Sequence, residues 1–245
     1  MKGGLRSYGL LFRWNLLRQR RLLAWLLVLQ LALGVGVIYG FAFLIPHVTA
    51  STALYFATGA PSLTLILLGF SVVPQELAQA RISGRYTYVS ALPIPRIAPM
   101  LADVSFWVLV LVPGAAVTLL LAMLRFHIHL EISVLIVPAV VLVALTAASV
   151  GYAMAALLPP PMTGQLSSFL SIVLLLFSPI NFPLSRLPNW LQDIHRVLPI
   201  SYMADIIRGS LTGIYGVSRP LAFAVVAAWS VAGLALSSRA AARRG

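Results

Sequence analysis

The stretch PQELAQARISGRYTYVSALPIPRIAP, Pro74–Pro99, decides how the rest of the chain is read. It is the longest polar interruption in a very apolar sequence. It carries Glu76, Arg81, Arg85 and Arg96, a glycine at Gly84, and it ends in Leu92-Pro93-Ile94-Pro95-Arg96. Long apolar runs flank it on both sides. A charged segment between two membrane spans has to sit at a membrane surface, because charge within the hydrocarbon is costly.

Composition supports that frame. The 245 residues are 60% hydrophobic and only 9% charged, whereas a soluble domain has about a quarter of its residues charged. This is the pattern of an all-α integral membrane protein. The net charge of +12 does not point to nucleic acid, because the basic residues cluster at span ends, where anionic lipid and topology account for them. No cysteine is present, which excludes disulfides, thiolate nucleophiles and cysteine metal sites. The first apolar run is too long for a signal-peptide core and reads as a retained span.

Spans of about 20 residues are expected at Leu22–Ile45, Ala53–Val73, Met100–Leu124, Leu130–Leu158, Gln165–Ile180 and Leu221–Leu236. Pro46-His47 marks a short turn, and Pro159-Pro160-Pro161 ends the fourth span. Before them, residues 1–21 hold Lys2, Arg6, Arg13, Arg18, Arg20 and Arg21. Leu5, Tyr8, Phe12 and Leu16 share a helical stripe, with Arg6, Arg13 and Arg20 every seven residues beside it. Leu10, Trp14 and Leu17 fall on another side. An interfacial helix fits this pattern, and a basic topogenic tail is the alternative. With the N-terminus inside, Lys and Arg divide twelve inside against five outside, so both termini and the 74–99 segment are expected in the cytoplasm.

Residues 181–220 are too apolar for a solvated loop. Leu187, Trp190, Leu191, Ile194 and Leu198 follow a helical period. Pro188 suits the first turn of that helix and Pro199 ends it. A second short helix is expected from Ser201, as its N-cap, with Tyr202, Met203, Ile206 and Ile207 as apolar positions. Each is too short to span, so a pair of half-penetrating outer helices is expected.

Motifs for chemistry are scarce. HExxH, GxSxG and paired intramembrane carboxylates are absent. A P-loop needs a lysine after its glycines, and Lys2 is the sole lysine. Energy for any work would therefore come from a partner or an ion gradient. A gradient-driven carrier needs ionisable groups at depth, and the spans offer few. Asp103, near the start of the third span, reads as snorkelling or pairing with an arginine such as Arg96, or less simply as a proton relay. His127, His129 and Glu131 lie at an exposed turn, which favours a solvated hairpin over a metal site.

Two stretches then carry a likeness. One is Glu76 to Tyr88 running into Ala91-Leu92-Pro93-Ile94-Pro95-Arg96. The other is Ser178-Pro179-Ile180-Asn181-Phe182-Pro183, Leu187-Pro188-Asn189-Trp190-Leu191 and Leu198-Pro199-Ile200-Ser201-Tyr202, ending at Arg208. In this order, with six spans, they resemble the membrane subunit of an ABC-2 type transporter, over nearly the whole chain as one domain. That family joins its second and third spans by a charged helix and a glycine-bearing turn, and carries an outer re-entrant hairpin before its last span. Members often have an acid about four positions before the glycine. Here that position is Ala80, with Glu76 one turn earlier.

The resemblance implies a partner-driven machine. Two six-span chains, as homodimer or heterodimer, would sit in a bacterial plasma membrane above two cytoplasmic ATPase subunits. ATP and Mg would bind those partners, with no cofactor bound directly to this chain. Residues 75–92 would be the coupling helix. Its contact set would be Glu76, Arg81, Ile82, Gly84, Arg85, Tyr86, Val89, Pro93 and Arg96. Ile82, Tyr86 and Val89 would form an inserting apolar stripe, Arg81 and Arg85 would meet acids, and Gly84 would permit close approach. Residues 181–213 would form the outer hairpin, marked by Pro179, Pro183, Pro188, Trp190, Pro199, Tyr202 and Arg208. The implied activity is export of a drug, antibiotic or lipid. Export of a polysaccharide or glycolipid is the alternative, and an integral membrane enzyme or ion-gradient carrier is the reading from another class.

Overall fold

A computed structural model describes residues 2–44, 50–95, 97–126, 128 and 130–243, with side chains at 2–4, 21–22, 41–42, 44, 50–52, 90 and 241–243 not described. Ile45, Pro46, His47, Arg96, His127 and His129, all invoked above, lie outside the described residues. Within them the chain is helical: α1 (Lys2–Arg18), α2 (Arg20–Leu44), α3 (Ala50–Ile82), α4 (Arg85–Ser90), α5 (Ile97–Phe126), α6 (Ile136–Leu157), α7 (Pro160–Phe177), α8 (Asn189–Val197), α9 (Pro199–Thr212) and α10 (Arg219–Arg243). A single 3-10 turn, Leu184–Arg186, precedes α8. Six of these helices, α2, α3, α5, α6, α7 and α10, are long and apolar enough to cross a membrane. The protein is a multi-pass, all-α membrane protein.

The bundle is built around α3. It packs against α2, α5, α6, α7 and α9, and 89% of its apolar window is buried, against 17% for α7. Small residues let it approach α6 closely. A Cβ on Gly69 would collide with Ala147, and one on Gly151 would strike the Gly69 carbonyl and meet the Pro74 ring at 3.2 Å. Such small-residue contacts replace the hydrophobic drive that is missing between helices in lipid.

Pro74 was expected to end the second span, but the helix continues to Ile82 through both Pro61 and Pro74. The Pro74 ring is enclosed against α6 at Gly151. Neighbouring spans tolerate a helix-interior proline in this way. The break falls instead at Gly84, with φ 72° and ψ −4°. That left-handed conformation suits glycine and few other residues. The segment 75–92 is therefore two pieces: the last turns of α3, and the six-residue α4.

Two other boundaries move. The fourth span starts at Ile136 instead of Leu130, because residues 130–135 leave the helix and Ser133 N–H donates to Ser210 O at 2.9 Å. The proline triplet both ends α6 and opens α7, with prolines in its first turn, where the missing N–H costs nothing.

Candidate functional site

Two junctions stand at opposite ends of α3, and each is organised by an arginine. At the α4 end, Arg81 lies on the last turn of α3. Its Nη1 donates to Ala155 O at 2.5 Å and to Leu158 O at 2.7 Å. Those carbonyls belong to the end of α6, where a helix leaves its last acceptors without partners. Arg81 therefore caps α6 inside the chain. Arg85 Nη2 donates to Glu76 O at 3.4 Å, across the Gly84 turn.

The expected stripe of Ile82, Tyr86 and Val89 is divided. Ile82 belongs to α3 and is exposed, whereas Tyr86 packs against the core and Val89 is half-buried. The exposed apolar residues at this tip are Ile82, Tyr88 and Leu92. Pro93 is exposed between α4 and α5. Ala80 is buried, so an acid at that position would meet the protein interior.

Deeper at the same end, Asn15 Nδ2 of α1 donates to Asp103 Oδ1 of α5 at 2.7 Å. Asp103 thus has an amide donor, while Arg96, named above as a pairing arginine, lies outside the described residues. Arg18 and Arg85 both act electrostatically on Asp103, and Glu76 acts on Arg18. Helices α1, α3, α4 and α5 therefore share one electrostatic neighbourhood at this end.

At the other end, α8 and α9 occupy the region of the expected hairpin. Helix α9 is enclosed by α3, α6 and α10, with Met203, Ile206, Ile207 and Leu211 fully buried. Arg208 holds it there. Its Nη2 donates to Ile180 O at 2.5 Å, its Nε donates to Thr58 Oγ1 at 3.2 Å, and its guanidinium lies 4.0 Å from the centre of the Tyr55 ring. Asp205, one turn earlier, accepts from Gly216 N–H at 2.6 Å and Val217 N–H at 3.3 Å, which closes the turn into α10.

Helix α8 faces differently than expected. Leu191 and His195 are buried, whereas Trp190 and Ile194 point away. Ser201 is not an N-cap. Leu198 holds that position, and Ser201 Oγ donates to His195 O at 2.7 Å, capping α8 from below. Tyr202 Oη does the same to Arg196 O at 2.9 Å. Pro199 is the buried first residue of α9, Pro188 immediately precedes α8, and Pro183 precedes the 3-10 turn. Pro179 is buried beside Ile180. Gly59 lets Ile180 and Asn181 lie directly against α3.

Tyr55, Thr58, Asp205, Asn15 and His195 were missed in the sequence. One signal existed: a lone arginine in an apolar helix requires partners, and Tyr55 and Thr58 lie three apart on a single face of α3.

The arrangement is two tied junctions on one central helix. The family model for the ABC-2 type transporter matches residues 10–212, and so includes both junctions. The chain belongs to the ABC-2 type transporter family. No curated protein matches it. Membership identifies it as a transporter membrane subunit of the kind that works with ATPase subunits in a membrane complex.

Proposed function

We propose that this ABC-2 chain is the permease of an ATP-driven exporter for hydrophobic or amphipathic compounds. Two copies, or this chain and a related one, would pair above two ATPase subunits that hold ATP and Mg. The observation that carries the reading is the tip around α4. Ile82, Tyr88 and Leu92 project from it, while Arg81 ties its base to α6 and Pro93 and Pro95 stiffen the exit to α5. An apolar tip on a braced base suits insertion into a partner and transmission of a push. The lysine and arginine count supports a cytoplasmic position for that tip and both termini, and the family likeness supports a bacterial plasma membrane.

A second feature supports pairing and a substrate path. Gln75 and Gln79 on α3 are exposed at the α4 end, and so are Gln165 and Ser168 on α7. Helices α3 and α7 pack together. Gln75 and Gln79 belong to the segment expected in the cytoplasm, whereas Gln165 and Ser168 lie on a span, where exposed polar groups are disfavoured against lipid, so the α7 face suits a second copy or a path for amphipathic cargo. The test is purification with the candidate ATPase, reconstitution, and a screen for compound-stimulated ATP hydrolysis. Stimulation by amphipathic drugs or lipids is expected. Stimulation by glycans alone would replace the substrate class, and failure of any ABC ATPase to bind would overturn the reading.

A further inference from the structure

One surface remains without a role: the face of α1 turned away from the bundle. Inward, α1 is fixed to α5 through Asn15 and Asp103, with Phe12 and Leu16 against the core. Outward it exposes Leu10, Trp14 and Leu17, at i, i+4 and i+7, which is one helical stripe. At 100° per residue, Arg6 and Arg13 lie along one margin of this stripe and Arg18 along the other, Arg20 follows as the first residue of α2, and all four are exposed. The Arg18 guanidinium lies 5.1 Å from the centre of the Trp14 ring, close enough for a cation–π contact. Among the described residues the one ion pair is Arg196–Asp193, so none of these four arginines is neutralised by an acid at salt-bridge distance. The first acid in the sequence is Glu76.

We infer that this face is a docking surface for anionic phospholipid headgroups of the leaflet on which α1 lies. An apolar ridge between two basic margins fits a lipid interface. Leucines and tryptophan enter the acyl boundary, and arginines bind phosphates at headgroup level. Placement agrees, because the first apolar window begins at Leu23, directly after the basic run. An acidic protein cleft would use the arginines but leave the exposed leucines and Trp14 unexplained. The surface serves a multi-pass protein of this topology whatever it transports, so its test is independent of the exporter reading.

The test reads lipid identity at Trp14. Full-length chain is reconstituted in phosphatidylcholine vesicles containing a fixed fraction of brominated phosphatidylglycerol or brominated phosphatidylcholine. The quenching difference between the native chain and Trp14→Phe isolates this tryptophan. Two- to three-fold stronger quenching by the anionic lipid is expected at low salt. The ratio should fall towards one at about 1 M salt, where the Debye length is about 3 Å. It should also fall in the triple variant Arg6→Gln/Arg13→Gln/Arg20→Gln, and persist in the matching triple lysine variant. A ratio of one in the native chain overturns the inference. So does a ratio indifferent to salt, or no quenching of Trp14 by either lipid, which would mean that protein covers it. Should the glutamine variant fail to insert, the salt titration of the native chain decides alone.

Discussion

The two ends of α3 use one device for opposite purposes. At each, an arginine donates to backbone carbonyls freed where a helix or its following turn ends: Arg81 to Ala155 and Leu158, Arg208 to Ile180. Around Arg208 everything else is closed. Thr58, Tyr55 and the buried face of α9 surround it, and Asp205 ties down the turn beyond. Around Arg81 the chain opens. Gly84 breaks the helix one turn later, and a six-residue α4 stands out with apolar residues exposed. An isolated helix that short has almost no stability of its own. The contrast separates a sealed junction from one braced at the base and free at the tip. It predicts that mutations will affect stability at the first and function at the second.

The largest loss is expected at Arg208. Arg208→Ala removes two charge-assisted donors and a ring contact, and leaves Ile180 O without this donor. Hydrogen bonds to charged groups contribute about 1.5–3 kcal/mol each, so a loss of about 2–4 kcal/mol is expected. Fluorescence-detected size exclusion after heating in detergent would show the lowest midpoint of the series. Arg208→Lys should recover only part, because an ammonium cannot reproduce the planar fork and the ring contact together. A midpoint within error of the native chain would show that the α9 junction is not sealed by this arginine.

Arg81→Ala should cost less, about 1–2 kcal/mol, because one of its two acceptor residues, Leu158, is only half-buried. The comparison becomes sharper if transport falls further than stability does. A drop in transport proportional to the folded fraction would mean that Arg81 only holds the fold.

A smaller effect is expected with pH at the α8 end. His195 is buried, and its ring Nε2 lies 3.1 Å from Phe177 O, so the carbonyl places a proton there. Its Nδ1 is buried with no partner among the described residues. Burial lowers its pKa, against the raising effect of the Phe177 hydrogen bond. Asp193 and Arg196, the charged groups on the same helix, face out and pair with each other. A histidine with a lowered folded pKa gives stability that is intact above its unfolded value, about 6.5, and lost as pH falls below it. Melting midpoints from pH 8 to 5 should fall more for the native chain than for His195→Gln. Parallel curves would remove His195 from the account.

The sequence made the spans legible because hydropathy is a property of whole runs, and a run tolerates errors of a turn at its ends. It also announced the α8–α9 pair, since Pro188 and Pro199 punctuate helices by local sterics. What it hid was partnership. Arg81 and Arg208 bond to carbonyls, which every residue carries and no side chain advertises. Pro74 read as a stop because the enclosing Gly151 lies 77 positions away along the chain. In α8 the period was correct but the face was not. Trp190 satisfied the hydrophobic pattern and still points outward, whereas His195 points in because Phe177 O is there to meet it.

The last comparison lies within the α4 end itself, between base and tip. Tyr86 packs inward, so replacing it would damage the fold and report nothing specific about a partner. Tyr88 and Leu92 are exposed and make no core contact that folding depends on. Tyr88→Ala/Leu92→Ala should therefore change stability by less than about 0.5 kcal/mol, as surface substitutions do, and leave expression and melting unchanged. Truncating apolar residues central to an interface costs more than 1 kcal/mol each where they are anchors, so recovery of the ATPase in a pull-down should drop about ten-fold or more. Arg81→Ala should show the reverse pattern, with a lowered midpoint and a smaller binding defect per folded molecule. If the tip variant binds and couples normally while Arg81→Ala loses binding, the partner reads the braced base, and Arg81 acts by orienting it.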